Sequence, residues 1–277
     1  MTLSVRNNFL KVGILLAALS LCFAAAGGYF AFSSFPQATV SAALRSRGIV
    51  QTLTAESFTP FAYVPFFTIL GAVSYSFVSI ILIYYFFEKT QSPEIFFFAL
   101  FVISLSVEAA RILLPLKAVF PFPVMYLLSA SRVLLFSRYF GLFSLFAASV
   151  HAAGLDIQKQ QTVFLMLVLS ALVITLPIPI DILVWDSSLL LWNGYDFMLR
   201  MTGVGILVIT LITYFISAYT RGSRNYIATG IGSFLALAGR NILVSSDTWE
   251  TSIPAFLVLI AGTWLVCSRL RREYLWF

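Results

Sequence analysis

The stretch FVISLSVEAARILLPL, residues 101–116, sets two charges inside a run of otherwise oil-soluble side chains. Its length decides the fold class, because a helix of roughly 20 apolar residues crosses a bilayer. Its charges pose the functional question. Glu108 and Arg111 stand three residues apart, which on a helix means one face and about one turn. A charge in an apolar helix is costly, so it demands a partner, a route to the surface or a task.

The rest of the chain is of the same kind. Its 277 residues are 60% hydrophobic and 16% aromatic, with only 10% charged. Soluble domains carry about 25% charged residues, so a soluble fold is excluded. The apolar runs are long and continuous, where a transmembrane barrel would alternate in short segments. The expected fold is all-α, a polytopic membrane bundle of about eight helices. The spans fall at 10–32, 61–87, 95–116, 122–148, 162–184, 197–219, 226–245 and 252–268. Four units follow: an N-terminal anchor over 1–32, a short extracytoplasmic segment over 33–60, a seven-helix bundle over 61–268, and a basic, aromatic cytoplasmic tail over 269–277.

Two readings of the first unit stand. MTLSVRNNFLK is a basic leader and Ala24-Ala25-Ala26 offers small residues, the pattern of a cleaved signal peptide. The apolar run continues to Phe32, which favours an uncleaved anchor. Within 33–60, TVSAALRSRGIVQTLTAESF has one apolar face and is expected to lie as a helix on the membrane surface. Pro177 and Pro179 end the fifth span near its outer edge.

Lysine and arginine set the orientation. With both ends inside, inner segments hold Arg6, Lys11, Lys89, Lys159, Arg221, Arg224, Arg269, Arg271 and Arg272, against Arg45, Arg47 and Lys117 outside. The net charge of +6 is thereby a membrane-orienting surplus, and no basic face interleaved with aromatics points to nucleic acid. Cys22 and Cys267 lie in spans and His151 is the lone histidine, so neither a disulfide framework nor a metal centre is expected, nor any other cofactor. The expected location is a bacterial inner membrane, with the lipid bilayer as the first partner.

The candidate site is the set of charges within spans. Glu108, Arg111, Arg132, Arg200, Arg240 and Asp181 all fall in the outer half. Four cations against two anions favour a small anionic ligand if the helices bring them together. The competing reading is structural. Glu108 pairs with Arg132 or Arg240 across a helix interface, while Arg111 and Arg200 reach outward to headgroups and Arg138 reaches inward. Two stripes of small residues, Ser137/Gly141/Ser144/Ala148 and Thr229/Gly232/Ala236/Gly239, suit close helix packing. Ser233 and His151 form no convincing nucleophile and base, so no catalytic residue is assigned.

YYFFEKTQSPEIFFFALFVISL at 84–105 runs a short charged turn into an aromatic-rich helix. LDIQKQQ at 155–161 and YTRGSRNYIATG at 219–230 are the next two short inner loops. In layout and loop length, residues 61–268 resemble the membrane part of bacterial seven-transmembrane receptors with diverse intracellular signalling modules. The chain departs from them in carrying neither their large outer sensory domain nor their inner effector. The resemblance implies a sensor or interaction component that acts through a protein partner at the cytoplasmic loops. The alternatives are a small transporter or channel subunit, which needs a polar path to both faces, and a membrane enzyme acting on lipid-linked substrates, which needs a nucleophile and base in reach.

Overall fold

The most enclosed element is the one carrying the opening stretch. In the computed structural model 78% of its most apolar window is buried, against 22% for the first helix and for Asp196–Arg221. The structure describes residues 3–34, 64–88, 90, 92–120, 123–185, 189, 191–246 and 248–275. Most of the 33–60 segment, with its expected surface helix, lies outside the described residues, as do Lys89, Trp276 and Phe277.

Helix α1 is Leu3–Ser34 and α2 is Val64–Phe87. The central helix α3, Pro93–Ser106, passes into a 3₁₀ segment, Val107–Ile112, and then into α4, Leu113–Val119. Next come α5 (Val124–Ala152), the short α6 (Gln160–Thr175) and a hairpin of β1 (Ile180–Trp185) with β2 (Leu191–Asn193). Helices α7 (Asp196–Arg221), α8 (Asn225–Ser245) and α9 (Trp249–Leu275) complete the bundle. Among the described residues, seven helices are long and apolar enough to cross a membrane, and α6 is a shorter apolar helix. The chain is thus a multi-pass helical membrane bundle.

Two expectations on boundaries need correction. The fifth span, placed at 162–184, stops being helical at Thr175, and Ile180 already pairs with Asn193 in the antiparallel hairpin. Prolines at 177 and 179 remove two backbone donors there, and a strand tolerates that loss at its start. The tail expected from 269 onward is helical through Leu275, as the last two turns of α9.

Helix α3 begins with a strong N-terminal signal. Ser92 accepts a hydrogen bond from the Ile95 amide at 3.3 Å, Pro93 occupies the first turn, and Glu94 places its negative charge at the positive end of the helix dipole. The pitch changes after Ser106 for local reasons. The Ser104 and Ser106 hydroxyls donate back to the carbonyls of Phe101 and Ile103, each at 2.7 Å, in competition with the backbone ladder. Beyond the segment, Pro115 has no N–H to donate to the Arg111 carbonyl, so an α-helical bond is lost there too.

The small-residue stripes pack helices of this chain against each other. A Cβ on Gly239 would lie 2.6 Å from the Leu259 amide nitrogen and 2.9 Å from the Ala255 carbonyl oxygen. Helices α8 and α9 therefore meet backbone to backbone, which in lipid supplies the dispersion energy that a hydrophobic drive does not. On α5 the Ser137 hydroxyl donates to the Ser104 carbonyl at 2.7 Å. Helix α1 turns Leu10, Gly13, Ala17, Ala24 and Gly27 inward, at spacings of three and four with one missed turn, against α2, α3 and α4.

The end where α1 begins is tied by polar contacts. Arg6 donates to the carbonyls of Phe87 at 3.0 Å and Glu88 at 2.8 Å, and also to that of Thr90. These are the orphan acceptors at the C-terminus of α2. Glu94 accepts from Tyr274 at 2.5 Å, and Glu273 accepts from Asn225 at 2.7 Å and from Ser223, so the end of α9 is bound to α3 and to the α7–α8 turn. Arg221 donates to the His151 carbonyl at 3.3 Å, while further along Tyr139 donates to the Leu199 carbonyl at 2.8 Å. The two contacts make α5 and α7 parallel neighbours.

Candidate functional site

Three elements meet at Glu108. The 3₁₀ geometry comes first: at three residues per turn, positions 108 and 111 eclipse, so Arg111 stands directly above the carboxylate. Its Nη1 lies 3.9 Å from Glu108 Oε2. From α5, Arg138 approaches with its planar fork. Its Nε donates to Oε1 at 3.0 Å and its Nη2 to Oε2 at 2.9 Å, the two-pronged arrangement that arginine makes with carboxylates. From α8, Arg240 places Nη2 4.0 Å from Glu108 Oε1 and donates from Nη1 to the Arg138 carbonyl at 3.2 Å. The Arg240 guanidinium also sits 5.8 Å from the centre of the Phe101 ring.

Small residues make this approach possible. A Cβ on Gly141 would come within 3.0 Å of Arg240 Nη1 and would collide with Ser104. Glycine at 141 thus opens the path by which α8 reaches the α3–α5 interface. The cluster is sealed: Glu108 is 1% exposed, Arg240 2% and Arg111 3%, and only the Arg138 side chain retains 24%.

Glu108, Arg111 and Arg240 therefore come together. The outward-facing pocket expected from all six residues does not form. Arg132 is exposed on α5, because six residues fall about 120° short of two full turns and turn it away from Arg138. Arg200 is 76% exposed and bonded at 2.7 Å to Asp196, one turn back on α7. Asp181 belongs to the hairpin, where its backbone pairs with Trp192; its side chain lies outside the described residues. The partner missing from the sequence reading was Arg138, expected to reach inward to headgroups. Its long stem instead turns toward Glu108. The signal that could have found it is the common face of Ser137, Gly141 and Ser144, which fixes the side of α5 that packs on α3.

A second polar group lies at the opposite end of α3. His151 stacks on Phe97 with ring centres 5.1 Å apart, and its Nδ1 is 3.2 Å from the Leu155 carbonyl. Ser233 is buried beside Tyr214, and no hydrogen bond joins it to His151. Among the described residues no three histidine, cysteine or acidic side chains converge as metal ligands. A cleft of about 20 Å³ opens between α4 and α5, lined by Leu114, Leu127, Ser131, Leu134 and Leu189 among others. That is room for about one water molecule.

The fold and cluster define a class, a polytopic helical membrane protein with a buried four-residue ionic clamp. Comparison with protein-family models, with curated protein sequences and with solved structures finds no match to this chain.

Proposed function

We propose that this protein is a non-catalytic sensor or interaction component of a bacterial inner membrane, which signals by rearranging its central helix and is read by a partner protein at the cytoplasmic face. The observation that carries this reading is the 3₁₀ segment of α3, clamped at Glu108 by arginines from two other helices. A mid-helix 3₁₀ stretch is a wound spring. Its six residues rise about 2.0 Å each where α-helix rises about 1.5 Å, and they advance about 120° each where α-helix advances about 100°. Relaxation to α would shorten the segment by about 3 Å and rotate what lies beyond it by about 120°. The same helix begins at Pro93-Glu94, where Tyr274 holds Glu94, so movement at the clamp is transmitted to the end of α9.

The topology belongs to the proposal. In it α6, the shorter apolar helix, runs counter to α5 and α7 as an eighth crossing beside the seven longer helices, a reading that the parallel packing of α5 and α7 supports. The bias of lysine and arginine then puts both ends of the chain inside. The transporter reading needs a polar path to both faces, whereas the charges here are enclosed.

The test is photocrosslinking from Lys159 and Arg224, which are exposed at the proposed cytoplasmic face. The wild-type chain is expected to crosslink one protein, and the doubly neutral Glu108→Gln/Arg138→Gln chain to change that yield several-fold. No specific crosslink, or equal yields from both chains, refutes the proposal.

A further inference from the structure

Among the described residues the clamp is not electrically closed. Setting Arg111 aside, Glu108 is one negative charge against two positive ones, Arg138 and Arg240. Arginine does not deprotonate in proteins, so this surplus persists at every accessible pH. Glu108 is committed to Arg138 through both oxygens. Arg240 is 2% exposed, and its Nη2, 4.0 Å from Glu108 Oε1, has no hydrogen-bond partner among the described residues. A buried donor without an acceptor is costly, and a buried charge without a counter-charge more so. One water would satisfy the donor and leave the charge.

We propose that the clamp holds a small monovalent anion of halide size, bound by Arg240 Nη2 and Arg138. Geometry limits the size. Gly141 already brings the α5 backbone close to Arg240 Nη1, so no bulky ligand fits on that side. A cleft of about 20 Å³ lies nearby, between α4 and α5. Leu127, Ser131 and Leu134 line it, and Arg138 follows one turn further along the same face of α5.

This inference rests on the clamp being the responsive element, and it names its ligand. The experiment is a thermal-unfolding titration of the full chain in detergent. Chloride replaces gluconate at constant ionic strength, and bromide serves as a second probe. Tm is expected to rise with chloride and to saturate. Arg240→Gln removes the surplus and the unpartnered donor, so its Tm is expected not to respond to chloride. Glu108→Gln adds one more uncompensated charge, so half-saturation should fall on the order of tenfold, equivalent to about 1.4 kcal/mol. Anomalous scattering should place bromide against Arg240.

A flat wild-type titration overturns the proposal. So does an Arg240→Gln response equal to wild type, or bromide bound only elsewhere. If Glu108→Gln does not fold, the wild-type and Arg240→Gln comparison still decides. Failure here is distinguishable from failure of the sensor reading. A flat titration leaves the clamp-dependent crosslink intact, and loss of that crosslink leaves halide binding intact.

Discussion

Replacing Glu108 with Gln keeps the size of the side chain and removes its charge. The carboxylate receives two charge-assisted hydrogen bonds from Arg138, at 3.0 and 2.9 Å, in a site where it is 1% exposed. Removing one partner of such a buried pair costs about 3–5 kcal/mol, because the other is left charged and unmatched. Here the loss also removes the counter-charge near Arg240, which places the expected value at the upper end of that range. For a chain of 277 residues this is a fall in Tm of roughly 10 °C, at about 2–4 °C per kcal/mol. The assay is loss of helical circular dichroism on heating in detergent, for wild type, Glu108→Gln, Arg138→Gln and the double variant. The double variant removes both charges and is expected to recover much of the loss, giving a coupling of at least about 2 kcal/mol. A Glu108→Gln protein within about 0.5 kcal/mol of wild type, or additive single losses, would refute the clamp.

Helix packing and the first helix give two further tests. Gly239→Ala should cost about 1–3 kcal/mol by forcing α9 away from α8, whereas Gly205→Ala, with nothing within 4 Å of its Cβ, should be neutral or stabilising; equal Tm values for the two would contradict the close contact. Arg6→Ala should loosen α1 and raise hydrogen exchange at the α2 C-terminus, and intact mass should find α1 still attached in protein extracted from membranes; a product beginning after Ala26 would decide for the signal-peptide reading instead.

Membrane class and the approximate positions of the long helices were legible because they depend on run length, and run length is one-dimensional; eight spans were expected, and seven helices are long and apolar enough to cross, with Gln160–Thr175 the short one. The expected spans and the observed helices agree within about three residues at most ends, as in 197–219 against Asp196–Arg221. What failed depends on azimuth or on pitch. Depth alone makes Arg132 as good a partner for Glu108 as any other arginine, but it lies around the helix from the packed face. Arg138 was assigned a headgroup role because of its depth, although an arginine stem can turn either way along a helix. The 3₁₀ segment left traces in Ser104, Ser106 and Pro115, each harmless alone. Their combined effect appears only when the backbone ladder is followed across all three.

The change of pitch explains why the two charges of the opening stretch tolerate burial. On an α-helix, positions 108 and 111 are offset by about 60°, so an arginine facing a carboxylate from the next turn must lean sideways. In the 3₁₀ segment they eclipse, and Arg111 covers the carboxylate from above. That leaves the lateral faces of Glu108 to Arg138 and Arg240, which come from different helices. An α-helical segment would turn Arg111 into the approach of one of these two. The pitch and the three-arginine arrangement are therefore mutually dependent: charge recruits the over-wound turn, and the over-wound turn makes room for the charge. The proposed sensor would use this dependence: a ligand that changes the charge balance at Glu108 would hold or release the over-wound turn.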